Sequence, residues 1–508
     1  MWVKLQPVPL PDDSKTAWPP KAWATILDDI AESAAWYAGD PKALAARYGK
    51  APSRTERPRF WSRRDADGNT RQKLHVPAAA DVATTSADLL FGETPTFTIP
   101  EAHIETAPAD AKAAQDRLYE LGETLGLANT LLEAAEVCSG LGGVYLRPGW
   151  NTDVADRPIL DVVHADHAIP VFRSGILVEV TFWRTLTVEH GSSVWRHLER
   201  HEPGRITHGL FVGSKDALGV RRPLDNHPDT AGIDADDDGQ VLLPESIKGL
   251  GVRYIPNALP NRKHRGVKVG RSDTAGVEDL MDALDETWTS WLRDIRIGQA
   301  RIIVPNEFLT RRGRGSGAQF DADQEVFSPV EMDPTAEGAK TITPVEFEIR
   351  TREHAETAMA LFEQILSPAG YDGQTFGLHG DGGSDKTATE VRAREGRTLR
   401  TTKKKQRYWG PEINDCLHML LIIDREIFGR RDTPIEYRPR IDFDDGLVED
   451  PHRTAETIEL LTRAQAMSIE TRVRMAQPNL DDAEIRAEVD RIRQDEGLVV
   501  DDPTGGLP

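Results

Sequence analysis

Positive charge is in short supply in this sequence. Across 508 residues, 62 Lys and Arg stand against 83 Asp and Glu, a formal net charge of -21. A protein that grips nucleic-acid phosphates ordinarily presents a basic face, because neutralising phosphates drives such binding. The chain therefore either ignores nucleic acid or meets it without holding it. Cysteine is scarcer still. Cys138 and Cys416 are the only two, too few and too far apart for a disulfide framework or a zinc site, and a reducing cytosol is the expected home. No run of 18 or more apolar residues occurs, so no membrane contact is expected. The opening, MWVKLQPVPLPDDSK, has no apolar core of a signal peptide. Also missing are G-x-S-x-G, H-E-x-x-H and any Cys/His pairing. Nothing supports an enzyme, a catalytic residue, a cofactor or a metal.

What is present reads as an α+β protein long enough for two to four domains or one large elongated subunit. Residues 20 to 38 place Trp23, Ile26, Leu27, Ile30 and Ala34 at helical spacing. A polar, Arg-rich connector follows, then a helix with Pro77 at its start and Gly92 at its end. Two more helical stretches lie between about 109 and 140. From Gly143 the period changes to alternation rich in Val, Thr and aromatics, which predicts strands and hairpins of an antiparallel sheet. The helical period returns at Ser272, an N-cap candidate. Val277, Leu280, Met281, Leu284, Trp288, Trp291, Leu292 and Ile295 make one stripe. A strand, a Gly/Arg loop and further alternating pieces lead to the helix TREHAETAMALFEQILS. A glycine-rich loop then opens into a long helical stretch from about Lys386 to Phe428, which Gly410-Pro411 is expected to kink. The last sixty or so residues read as short helices, and no internal repeat occurs.

Four motifs invite chemistry. DADDDGQVLLPE, Asp234 to Glu245, has the alternate carboxylates, glycine and closing glutamate of a calcium loop. Its flanks carry Pro223, Pro228 and Pro244 where that motif needs helices, so a solvated acidic turn between strands is the expectation. GDGGSDKT, Gly380 to Thr387, nearly spells a phosphate loop, but Asp385 stands where glycine is required and would repel phosphates. HADH, His164 to His167, lacks a third metal ligand. VRAREGRTLRTTKKKQRYW spreads its cations around the whole helix, the pattern of a solvated or salt-bridged face in an acidic assembly.

The order of elements, together with GRSDTAGVEDLMDALDETWTSWLRDIRIGQARIIVP from Gly270 to Pro305, resembles the portal protein of tailed double-stranded DNA bacteriophages, of the siphovirus type seen in phages of actinobacteria. YIPNALPNR, LLFGETPTF and AETIELLTRAQAMSIETRV echo it more weakly. The resemblance implies a wing at 1–270 and stem helices at 271–299 and 350–366 around a small β-rich clip at 300–349. It further implies a tunnel loop at 367–385, a long kinked helix and wing return at 386–446, and a helical crown and tail at 447–508. It implies a ring of twelve at one capsid vertex of the virion, assembled in the host cytoplasm with major capsid and scaffold proteins. That ring would pass double-stranded DNA during packaging and ejection and dock the terminase large subunit and the head-to-tail adaptor. On that reading Asp372, Gly380, Asp381, Gly382, Gly383 and Asp385 belong to the channel loop, and Arg311, Arg312 and Arg314 to a partner-docking clip loop. An acidic channel suits DNA that must slide, since a wall that repels phosphates makes sticking points shallow. The rival classes are a calcium-binding structural protein and a nucleotide-using DNA-processing enzyme.

Overall fold

The computed structural model describes residues 10, 15–49, 59–62, 73–104, 107–188, 193–297, 301–303, 310–311, 318–319, 343–345, 350–378, 396–430, 434–443, 451–464, 466–477 and 482–495. The chain divides into two units, 1–382 with 394–444, and 383–393 with 445–508.

The first unit begins with α1 (Ala24–Ala38) and α2 (Pro41–Tyr48). Gly39 takes a left-handed φ of 63° between them, and the Asp40 carboxylate accepts from the Lys42 amide at 3.0 Å, with Pro41 in the first turn. Then come α3 (Ala78–Phe91), β1 (Thr96–Thr98), α4 (Ala109–Leu125) and α5 (Leu127–Leu141). As the sequence predicts, Pro77 and Gly92 flank α3. Its face of Ala79, Ala83 and Ala87 is buried, as are Ala134 and Ala135 of α5. Side chains this small let two packed helices approach closely.

The antiparallel region follows with β2 (Gly143–Gly149), β3 (Ile159–His164), β4 (Ala168–Arg173), β5 (Ile176–Val188), β6 (Val194–Glu202), β7 (Arg205–Gly213), β8 (Val220–Arg222), the single turn α6 (Pro228–Ala231), β9 (Gln240–Leu242) and β10 (Arg253–Pro256). One sheet has the order β10-β2-β3. The other runs β4-β5-β6-β7-β8, with β9 also on β7. Beyond them lie α7 (Glu278–Ile297), the strands β11 (Arg301–Ile303), β12 (Thr310–Arg311), β13 (Ala318–Gln319) and β14 (Thr343–Val345), then α8 (Thr351–Ala369), α9 (Gly396–Glu426) and β15 (Arg440–Asp442). β11 pairs with β14 and β12 with β13, both antiparallel. β15 returns to pair with β1, Thr96 opposite Asp442, so the end of this unit is stitched to its beginning.

The main core lies where α3, α4, α5, β2, β10 and α9 meet. Phe91, Ile99, Leu118, Leu131, Val144, Ile255, Trp409 and Leu417 are all buried there. Each such side chain contributes about 1.5–3 kcal/mol by leaving water. Cys138 and Cys416 sit in this core as free, buried thiols.

The second unit holds α10 (Pro451–Arg463), α11 (Ile469–Ala476) and α12 (Asp482–Asp495). Ser468 caps α11, its Oγ accepting from the Thr471 amide at 3.2 Å. Val473, Ile485 and Val489 form a small core of their own.

Three expectations need correction. The helix predicted from Ser272 begins at Glu278. Ser272 instead accepts from the Thr274 amide at 3.2 Å, inside a turn that Gly276 ends with φ 89°. The connector read as polar contains Phe60 and Trp61, both buried. The basic run of α9, Lys405 apart, is not spread around the helix. Arg397, Arg400, Lys403, Lys404 and Arg407 share one exposed side, opposite the buried Thr398, Thr402, Lys405 and Trp409.

Candidate functional site

α7 and α8 pack together as a helical pair. At one end Val277, just before α7, Met281 and Leu284 of α7, and Ala358 and Ile365 of α8 are buried with Trp36, Leu44, Phe60 and Trp61. Toward the other end the apolar stripe comes out of the core. Trp288 is 39% exposed, Ile295 45% and Met359 44%. Trp291 lies near-parallel to the His354 ring at 6.0 Å and beside Trp288 at 5.1 Å. Asp294 accepts from His354 Nε2 at 3.0 Å and from Arg350 Nη2 at 2.8 Å. The His354 bond and then Arg350 hold its carboxyl below the usual range.

The front of α7 carries acids, as the macrodipole favours, and two further carboxylates on it act as buried acceptors. Asp282 accepts from the amides of Phe60 at 2.7 Å and Trp61 at 3.3 Å. Burial raises its pKa. Asp285 accepts from the Val76 amide at 2.7 Å and Trp61 Nε1 at 3.0 Å, and meets His75 Nδ1 at 2.9 Å. Thr289 Oγ1 accepts from the Leu74 amide at 3.0 Å. These three side chains fall on one stripe of the helix and clamp 60–61 and 74–76 to it.

Just before α7, Asp273 is a hub. Its Oδ2 accepts from Lys405 Nζ at 2.5 Å, Ser139 Oγ at 2.7 Å and Tyr371 OH at 3.2 Å, while Oδ1 accepts from Asn257 Nδ2 at 2.9 Å. Burial and the Asp273 charge push the Tyr371 hydroxyl up to about 12. Lys405, one member of the basic run, is therefore a core residue.

Of the predicted channel loop, Asp372 is described. Its carboxylate accepts from the amides of Arg397 at 3.1 Å and Thr398 at 3.2 Å, and its own amide donates to Thr398 Oγ1 at 3.0 Å. It thus caps the first described turn of α9 from a separate segment. Gly380, Asp381, Gly382, Gly383 and Asp385 lie outside the described residues, as does the rest of GDGGSDKT. In the predicted clip, Arg311 pairs with Ala318 in the β12–β13 ladder. Arg312 and Arg314 lie outside the described residues.

The DADDDG stretch is a turn leading into β9. Asp236 Oδ1 accepts from the amides of Asp238 at 3.0 Å and Gln240 at 2.7 Å, and Gly239 takes φ 76°. In HADH, Asp166 binds His167 at 2.9 Å on a half-exposed turn. Neither motif gathers three ligands. Among the described residues the group that does is His197, Glu199 and His208, which no motif search singles out because the ligands come from two neighbouring strands. No helix among those residues is long and apolar enough to cross a membrane.

The described residues form a mixed α+β fold with antiparallel sheets and a paired-helix element. The family model described as phage portal protein, SPP1 Gp6-like, matches residues 20–497. The chain belongs to that family of phage portal proteins, a structural family and not an enzymatic one. No curated protein matches it. Among solved structures, one chain titled as the neck of an empty GTA particle computed with C6 symmetry is similar at 13% identity. The match covers 93% of this chain and 94% of that one, with a TM-score of 0.38.

Proposed function

We propose that this portal protein forms a ring of twelve subunits at one vertex of the phage capsid. The ring is the channel for genome packaging and ejection, and it docks the terminase large subunit during packaging and the head-to-tail adaptor afterwards. The observation that carries the reading is the family match across nearly the whole chain. The α7–α8 pair supports it physically. Its apolar stripe stays exposed at Trp288, Ile295 and Met359, and neighbouring copies in a ring would cover it. In this reading α7 and α8 are the stem, the β11–β14 segment the clip, and 367–385 the tunnel loop, with Asp372 fixing the loop's base to α9. Arg311, Arg312 and Arg314 meet the docking partners. Major capsid and scaffold proteins surround the ring during assembly in the host cytoplasm.

Particle mass tests this. Purified chain in moderate salt should give closed rings near twelve times the 56.3 kDa subunit, with a central hole in negative-stain images. A stable monomer at micromolar concentration would overturn the reading.

A further inference from the structure

Strands β6 and β7 carry a cluster that a portal ring does not call for. Glu199 and His208 stand directly opposite each other in the ladder, and His197 lies two residues before Glu199 on the same face. His197 Nε2 and His208 Nδ1 are 3.1 Å apart, and the two rings stack at 5.2 Å, 9° from parallel. One ligand atom from each of His197, Glu199 and His208 falls within 4.8 Å of the others. We infer that these three side chains form a binding site for one divalent transition-metal ion of the zinc class, bridging β6 to β7.

The geometry is that of a chelate. Zinc–nitrogen bonds of about 2.0–2.1 Å in a tetrahedron place two ligand nitrogens roughly 3.3 Å apart, close to the spacing seen. The imidazole nitrogen is the commonest protein donor to a metal ion. The donor set of two imidazoles and one carboxylate suits zinc, cobalt or nickel, whereas calcium takes six to eight oxygens.

Glu199 is already oriented. Its Oε1 accepts from His201 Nε2 at 2.7 Å and its Oε2 from Arg147 Nη1 at 2.5 Å. A hydrogen bond on the far side of a ligating carboxylate is the usual support of a metal site. Arg147 also pairs with Asp161, so it keeps a carboxylate if Glu199 turns toward an ion. Arg147 and Arg184, whose charges reach His197 and His208, oppose any cation here and weaken its binding. The acidic Asp236–Gly239 turn packs against the same strand, the His208 amide donating to the Gly239 carbonyl at 2.7 Å.

The full chain, stripped by dialysis against a chelator, is titrated with cobalt(II). One equivalent per chain should bind with the ligand-field absorption of a four- or five-coordinate site, and zinc should displace it. A His197→Asn, His208→Asn double variant should lose the cobalt signal and the rise in melting temperature that zinc gives the parent. X-ray absorption of the zinc-loaded parent should show two imidazoles, a readout that needs no variant to fold. No uptake by the parent, equal uptake by the double variant, or a zinc spectrum without imidazole scattering would each overturn the site and leave a hydrogen-bonded pair of neutral histidines.

Discussion

Lys405 of α9 and Asp273 of the turn before α7 form a buried ion pair at 2.5 Å, joining segments 132 residues apart. Their side chains are 5% and 3% exposed. Ser86 Oγ accepts from the same ammonium at 2.6 Å, and Ser139, Asn257 and Tyr371 fill the remaining positions on the carboxylate. Desolvation alone would lower the Lys405 pKa, but the Asp273 charge, Tyr371 and the hydrogen bonds to both together hold it above the ordinary lysine range.

Removing one partner leaves the other charged and buried. Lys405→Met should therefore destabilise the fold by about 3–5 kcal/mol, read as a lower midpoint in urea. Arg400→Met, on the exposed side of the same helix, should change the midpoint by roughly 0.5 kcal/mol or less. Equal effects would remove Asp273 from the role of hub.

His197 and His208 predict an acid limb in the metal-free protein. Both have folded pKa values below the unfolded value of about 6.5. Below that pH the unfolded chain takes up protons that the folded chain refuses, so stability falls as pH drops from 6.5 toward 3. At pH 5 His197 accounts for about 2 kcal/mol, and His208 adds in the same direction. Glu199, His201, Arg147 and Arg184 surround the pair, and a His197→Gln variant should show a shallower limb by about one proton. An unchanged slope would mean that His197 titrates freely.

The apolar stripe of α7 makes a prediction about assembly. Trp288 and Ile295 fall seven residues apart on one side and are 39% and 45% exposed. Trp288→Ser with Ile295→Ser removes little from the subunit's own core, so the monomer should melt within a few degrees of the parent. The ring should shift to smaller species by light scattering. Intact rings from the double variant would place the subunit contact elsewhere.

Calcium should do nothing to the Asp234–Glu245 stretch. Asp236 spends its carboxylate on two backbone amides, the work of a turn residue. Added calcium should leave the melting temperature unchanged, while Asp236→Ala costs about 1 kcal/mol through the lost acceptor. A calcium-dependent rise that Asp238→Asn abolishes would restore the site.

Much of the fold was readable from periodicity. α3 announces its ends with Pro77 and Gly92, and α7 shows its stripe because apolar residues recur at helical spacing over five turns. The long strands β5, β6 and β7 show by their β-branched and aromatic content. The polar core was not readable. Asp273, Asp282 and Asp285 look like the solvated acids of a helix front, and Lys405 like one of three lysines in a row. Their partners Phe60, Trp61, Val76, Tyr371 and Ser86 come from distant segments, so no local pattern marks them. The His197–Glu199–His208 group is hidden for the same reason, because its closeness depends on β6–β7 register.

The channel loop gives the last test. Asp372 ties the loop's first part to α9 through two amide bonds, so the chain on this side of Gly380 has a fixed base. If the loop reaches the channel, it meets a duplex with no fixed register, and base-specific contact would be useless to it. Position and repulsion remain, with Asp381 and Asp385 keeping phosphates from the wall. Deleting Gly380 to Ser384 spares Asp372 and α9, so folding and ring formation should be unaffected. Packaged or retained genome length should fall. ATP hydrolysis by the terminase should stay measurable, because this chain hydrolyses nothing itself. Asp372→Ala is the complementary variant. Losing a helix cap costs about 1–2 kcal/mol, so it should lower stability, whereas the deletion should alter DNA retention. Full-length genomes packaged and kept by the deletion mutant would exclude the loop from the mechanism.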